Sequence, residues 1–126
     1  MMSGSTLNAT SESVRRLLTA SGALFASAGV ALSAYAAHAA DIAARGSLQS
    51  AALFALVHGV ALAALPRHAV RRIGLVALLM LALGTLLFSG TLVAAHAFGM
   101  PTRLAPFGGM LLILGWLVFA IDAIWR

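Results

Sequence analysis

From Ile73 to Ala97 the chain carries no Asp, Glu, Lys or Arg. A helix needs about 20 apolar residues to cross a hydrocarbon layer roughly 30 Å thick, so this run alone is long enough to span a membrane. Three more runs meet the same condition: Leu17 to Ala40, Leu48 to Leu65 and Pro106 to Trp125. They are separated by the Asp41–Arg45 segment, by Pro66-Arg67, where proline cannot continue the backbone ladder, and by a short link around Arg103. Pro106 suits the first turn of the fourth helix. No segment alternates apolar and polar residues as a barrel strand does, and an open sheet edge is not tolerated in lipid. The expected fold is all-α, a polytopic membrane protein forming a four-transmembrane-helix bundle over residues 14–126. The small polar residues 1–13 are expected as a flexible tail.

Composition agrees. Hydrophobic residues make up 62% of the 126-residue chain and charged ones 9%. A soluble domain carries about a quarter of its residues charged, so a soluble enzyme is excluded, and so much apolar surface is incompatible with disorder. Without cysteine there are no disulfides, thiolate metal sites or cysteine nucleophiles.

Arginine placement sets the expected orientation. Arg15, Arg16, Arg67, Arg71, Arg72 and Arg126 fall on one side of the four spans and only Arg45 and Arg103 on the other, which puts both termini in the cytoplasm. The Arg67–Arg72 elbow, with His68, reads as an anchor at the anionic inner leaflet rather than a nucleic-acid patch. Arg15-Arg16, the first run and Ala37-His38-Ala39 also outline a cleavable secretory signal. That run is longer than a signal's apolar core, and the later spans look built to pack against it, so four spans are expected.

Polar groups within spans cost free energy unless paired or turned inward. His58 lies near the middle of span two. Thr85 and Ser89 share a face of span three that continues to His96. His38, Gln49 and His96 sit at similar depth, so an outer polar cluster is expected. His38 with His96 could ligate haem or a metal, although no stronger metal signature accompanies them. His58, Ser89 and Thr85 could line a proton or solute path. The simpler reading is that His38 and His58 donate hydrogen bonds to neighbouring helices. Asp122 is expected to pair with Arg126 or with Arg15-Arg16. With no serine elbow and no phosphate loop, catalysis is not expected, nor is a cofactor. Gly22, Ala26, Gly29, Ser33 and Ala36 or Ala37 line one face of span one, and Gly108, Gly115 and Asp122 recur every seventh residue in span four, with Gly109 beside them. Such stripes mark close helix contacts, within the chain or in a homo-oligomer.

Leu32-Ser33-Ala34-Tyr35-Ala36-Ala37-His38, the Gln49–His58 helix, the Leu81–Leu92 stretch with Ser89-Gly90, and Pro106-Phe107-Gly108-Gly109 through Gly115-Trp116 recur in order over residues 17–125. In these the chain resembles the YgdD/YwdK-like family of small four-pass inner-membrane proteins of unknown function (DUF423-type). The resemblance implies a bacterial cell inner-membrane location and argues against cleavage after Ala39, but implies no reaction. Its motif positions fall on His38, His58, Ser89, Gly90, Pro106, Gly108, Gly109, Gly115 and Trp116. Ser33 and Ala36 replace usual glycines, which should loosen the closest helix approach, and Val57 replaces an aromatic. His96 stands at a normally apolar position, which weakens a haem or metal site. The expected role is a scaffold or accessory subunit in the lipid bilayer, within a larger membrane complex or homo-oligomer. The alternative is a small oligomeric transporter or channel near His58 and Ser89.

Overall fold

The computed structural model describes residues 4–38 and 40–125. Arg126, Ala39 at the candidate cleavage site, and the first three residues of the expected tail lie outside the described residues. Four helices follow one another: α1 Gly4–His38, α2 Ile42–Ala64, α3 Arg72–Phe98 and α4 Ala105–Trp125. Each is long and apolar enough to cross a membrane. The chain is a multi-pass membrane protein.

The helix ends have local causes. Asp41 caps α2 by accepting from the Ala44 amide at 2.8 Å, so α2 starts six residues before the apolar run that marks it in the sequence. Pro66 opens a 3-10 turn, Pro66–His68, that redirects the chain toward α3. Gly99 closes α3 with φ 67°, a left-handed conformation that suits glycine, and its amide bonds the Ala95 carbonyl at 3.0 Å. Pro106 sits in the first turn of α4.

The expected loose tail is corrected from Gly4 onward, where the chain is already helical. The first span supplies the helix nucleus, and extension costs little once a nucleus exists. Thr10 Oγ1 donates to the Thr6 carbonyl, and Glu12 lies 3.9 Å from both Arg15 and Arg16, one turn ahead. α1 is therefore roughly 50 Å long, well beyond the hydrocarbon thickness.

α1 packs along α2 and α3 along α4 as two antiparallel hairpins, which meet mainly through α2 and α3. The inner pair is the more enclosed: 39% and 44% of the apolar windows of α2 and α3 are buried, against 17% and 22% for α1 and α4. Leu18, Leu62, Leu75, Leu78, Leu81 and Leu112 form the main core, and Ala36, Ala40 and Leu48 a smaller one at the end away from the arginine-rich elbow.

Each hairpin closes on a seven-residue ladder of small residues. A β-carbon on Gly22 would lie 2.4 Å from the Ala63 amide and 2.6 Å from the Gly59 carbonyl, and one on Gly59 would lie 2.4 Å from the Ala26 amide. One heptad on, Gly29 faces Ala52 and Leu56. In the other hairpin Gly108 faces Gly84 and the Phe88 amide, and Gly115 faces Leu81 and Ala77. The small-residue stripes are thus contacts within the chain. Gly59 and Gly84, the reciprocal halves, were not singled out by the sequence, although Ala52 and Gly59, and Ala77 and Gly84, are also seven apart. Ala36 is fully buried, so its methyl is accommodated, and Ser33 faces outward. The expected loosening at Ser33 therefore does not arise, because that side chain is off the contact face.

Candidate functional site: the buried polar groups

His58 is buried on α2 where that helix meets Trp116 of α4. Its Nδ1 lies 2.9 Å from the Phe54 carbonyl one turn earlier, and its Nε2 lies 3.0 Å from the Trp116 indole nitrogen of α4. A carbonyl only accepts and an indole N–H only donates, so the geometry assigns the tautomer: the proton sits on Nδ1 and Nε2 is the bare acceptor. Trp116 is about 16 Å into its helix, far from the interfacial depth where tryptophan is usually found. His58 supplies the acceptor its N–H needs there. The ring is stacked on Phe54 at 10°, Phe54 packs on Phe88 with centroids 4.5 Å apart, and Trp116 lies edge-on to Phe119. An aromatic layer thus joins α2, α3 and α4. The expected donation from His58 to a neighbouring helix is corrected: His58 donates to the Phe54 carbonyl of its own helix and accepts across from Trp116.

Replacing His58 with phenylalanine keeps ring volume but removes the acceptor, leaving the indole N–H facing hydrocarbon. The expected cost is about 1–2 kcal/mol in unfolding from micelles, with Trp116→Phe restoring much of it in the double variant. Equal stability of the wild type and His58→Phe would refute the role.

Ser89 and Thr85 share a buried face of α3, as expected. Ser89 Oγ donates to the Ala51 carbonyl of α2 at 2.8 Å and so ties the hairpins together. Thr85, fully buried, donates to the Leu81 carbonyl of its own helix at 2.7 Å. Gly90 is half-buried beside them, with only Leu86 near a would-be β-carbon.

The outer cluster of His38, Gln49 and His96 does not form. His96 Nε2 is hydrogen-bonded to the Tyr35 hydroxyl at 2.9 Å instead. His38 lies two residues past buried Ala36 and Gln49 one past buried Leu48, so helix rotation turns both outward. No group of three or more His, Cys, Asp or Glu converges among the described residues.

At the arginine-rich end, Asp122 is fully buried and its Oδ1 accepts from Arg71 Nε at 3.0 Å. Of the expected partners, Arg126 lies outside the described residues, and among the described ones the carboxylate pairs with Arg71 rather than with Arg15 or Arg16. Asp122 continues the Gly108–Gly115 heptad, and the antiparallel register of α4 against α3 delivers it to Arg71, whereas Arg15 is engaged elsewhere and donates to the Ala69 carbonyl at 2.9 Å. Gly74 makes room, since a β-carbon there would lie 2.9 Å from Asp122 Oδ2. Arg15 and Arg71 are therefore structural ties as well as basic residues, while Arg16, Arg67 and Arg72 remain exposed. Pro106 is exposed, Gly109 half-buried, and Gly108 and Gly115 buried in the α3 contact.

Besides a smaller one of about 210 Å³ at Leu53, Phe54, Val57 and His58, two apolar grooves open sideways. One of about 330 Å³ runs between α1 and α3 past Phe25, Leu32, Thr85, Ser89 and Gly90. The other, about 350 Å³, lies beside Phe54, His58, Phe88, Gly109 and Trp116.

The family model described as "Protein of unknown function (DUF423)" matches residues 32–109. The chain belongs to the DUF423 family. The DUF423 match spans more than half of the chain and includes His38, Gln49, His58, Thr85, Ser89, Gly90, Pro106, Gly108 and Gly109, while Gly115 and Trp116 lie beyond it. No curated protein and no solved structure matches the chain.

Proposed function

We propose that this DUF423 protein is a non-catalytic component of the bacterial inner membrane, with both termini cytoplasmic, serving as a scaffold or accessory subunit of a larger membrane assembly. The observation that carries this reading is where the buried hydrogen bonds go. His58 and Ser89 each tie α2 to another helix, His58 through the Trp116 indole of α4 and Ser89 through the Ala51 carbonyl, while Thr85 spends its hydrogen bond on its own helix backbone. Meanwhile α1 and α4 leave most of their surface to lipid or a partner. The arginine count of the loops supports the orientation. A path through His58 and Ser89 has less support, because Ser89 lines the groove between α1 and α3 and His58 the one beside α4.

Native mass spectrometry of the protein gently extracted from its own membranes is expected to find it in a stoichiometric complex with other membrane proteins. A bare monomer or homo-oligomer would overturn the accessory role and turn attention to flux assays with His58→Ala in proteoliposomes.

A further inference from the structure

The fold gathers at one end arginines that are distant in sequence. Arg15 of α1 donates to the Ala69 carbonyl in the α2–α3 elbow, which brings Arg16 to the same corner as Arg67, two residues before Ala69, and Arg72, three after it. The two acids at this end are already engaged. Asp122 holds Arg71, and Glu12 is shared between Arg15 and Arg16 at 3.9 Å. Among the described residues, five arginines against two carboxylates leave three positive charges in excess at the corner. Arg16 is 82% exposed, and Arg67 and Arg72 are exposed with no carboxylate at ion-pair distance among the described residues. Directly beside them the surface is apolar and open: Leu17, Val70 and Ile73 are 67%, 73% and 47% exposed. A basic rim above an apolar wall at the end of membrane-spanning helices matches a phospholipid, headgroup on the rim and chains on the wall.

We infer that this corner, formed by α1 and the Pro66–Arg72 elbow, is a binding site for a phospholipid whose headgroup carries two phosphates, of the diphosphatidylglycerol class. Guanidinium binds phosphate oxygens in a bidentate fork, so Arg67 and Arg72 can each take one phosphate of a single molecule, with Arg16 completing the charge balance. A headgroup with one phosphate engages only one fork at a time. The site rests on the chain being a membrane protein, and on the proposed orientation only for which leaflet supplies the lipid.

The test is native mass spectrometry of the full chain in neutral detergent, titrated with diphosphatidylglycerol, with phosphatidylglycerol at twice that concentration to equalise phosphate, and with phosphatidylcholine. A discrete one-lipid adduct is expected with diphosphatidylglycerol alone. Arg67→Gln/Arg72→Gln should weaken it about 30-fold while circular dichroism shows the helices intact, because neither side chain is part of the packing. Arg103→Gln, which removes a charge at the opposite end, should leave it unchanged. Equal binding of phosphatidylglycerol per phosphate, or a double variant that binds like the wild type, would overturn the site. Neither orientation nor a protein partner enters this measurement, so its failure is separable from failure of the scaffold reading.

Discussion

Gly59→Ala is expected to destabilise the protein by about 3 kcal/mol or more, an effect at the upper end for a single added methyl. The new β-carbon would sit 2.4 Å from the Ala26 amide and 2.7 Å from the Gly22 carbonyl, both backbone atoms of α1 that cannot rotate away. The hairpin can accept the methyl only by moving α1 and α2 apart, which loses the dispersion contacts along the whole Gly22–Gly29 ladder. In lipid that loss is not offset by a gain from excluding water, because the hydrocarbon around the helices is as apolar as their side chains. Gly46→Ala in the same helix is the control. Nothing lies within 4 Å of its would-be β-carbon, so the better helix propensity of alanine should give a neutral result or a gain of up to about 1 kcal/mol. Unfolding both variants in mixed micelles with increasing dodecyl sulfate, followed by circular dichroism, checks the difference. Indistinguishable transitions would mean that the helices are not in backbone contact at Gly59.

The second large effect is asymmetric. Arg71→Ala is expected to cost about 3–5 kcal/mol, whereas Asp122→Ala should cost distinctly less. Asp122 is fully buried, so losing the guanidinium removes a 3.0 Å charge-assisted contact from a carboxylate inside the protein, while the Arg71 side chain is 43% exposed and can turn to water once the carboxylate is gone. The Arg71→Ala/Asp122→Ala double variant should therefore be more stable than Arg71→Ala alone. The same unfolding assay gives the coupling from the four-member cycle. Additive losses, with the double variant the weakest of the three, would show that the pair does not hold the end of α4 to α3.

Much of the architecture can be read along the chain because the governing quantity is one-dimensional. The length of an apolar run against bilayer thickness yields four spans, and an uncapped backbone cannot stop inside lipid. The seven-residue recurrences Gly22–Gly29 and Gly108–Gly115–Asp122 likewise identify the faces that make contact, since a helix returns nearly the same face after two turns. Buried positions for His58, Thr85 and Ser89 follow from the cost of a polar group in hydrocarbon.

What each of those groups touches depends on rotation and register between helices, which no single segment encodes. Gln49 and His38 have the depth of a cluster but point outward, because Leu48 and Ala36 beside them take the inward direction. Trp116 as the donor to His58 and Arg71 as the partner of Asp122 are each more than fifty residues away in sequence, brought in by the antiparallel register of the hairpins. Sequence alone thus determined that this chain lives in a membrane as four helices and which faces they share, because hydrophobic length and periodicity are local. Only the tertiary structure decided the tautomer of His58, the partner of Asp122 and the gathering of Arg16, Arg67 and Arg72 at one corner. Hydrogen bonds and ion pairs act over about 3 Å, so they are settled by the relative placement of whole helices.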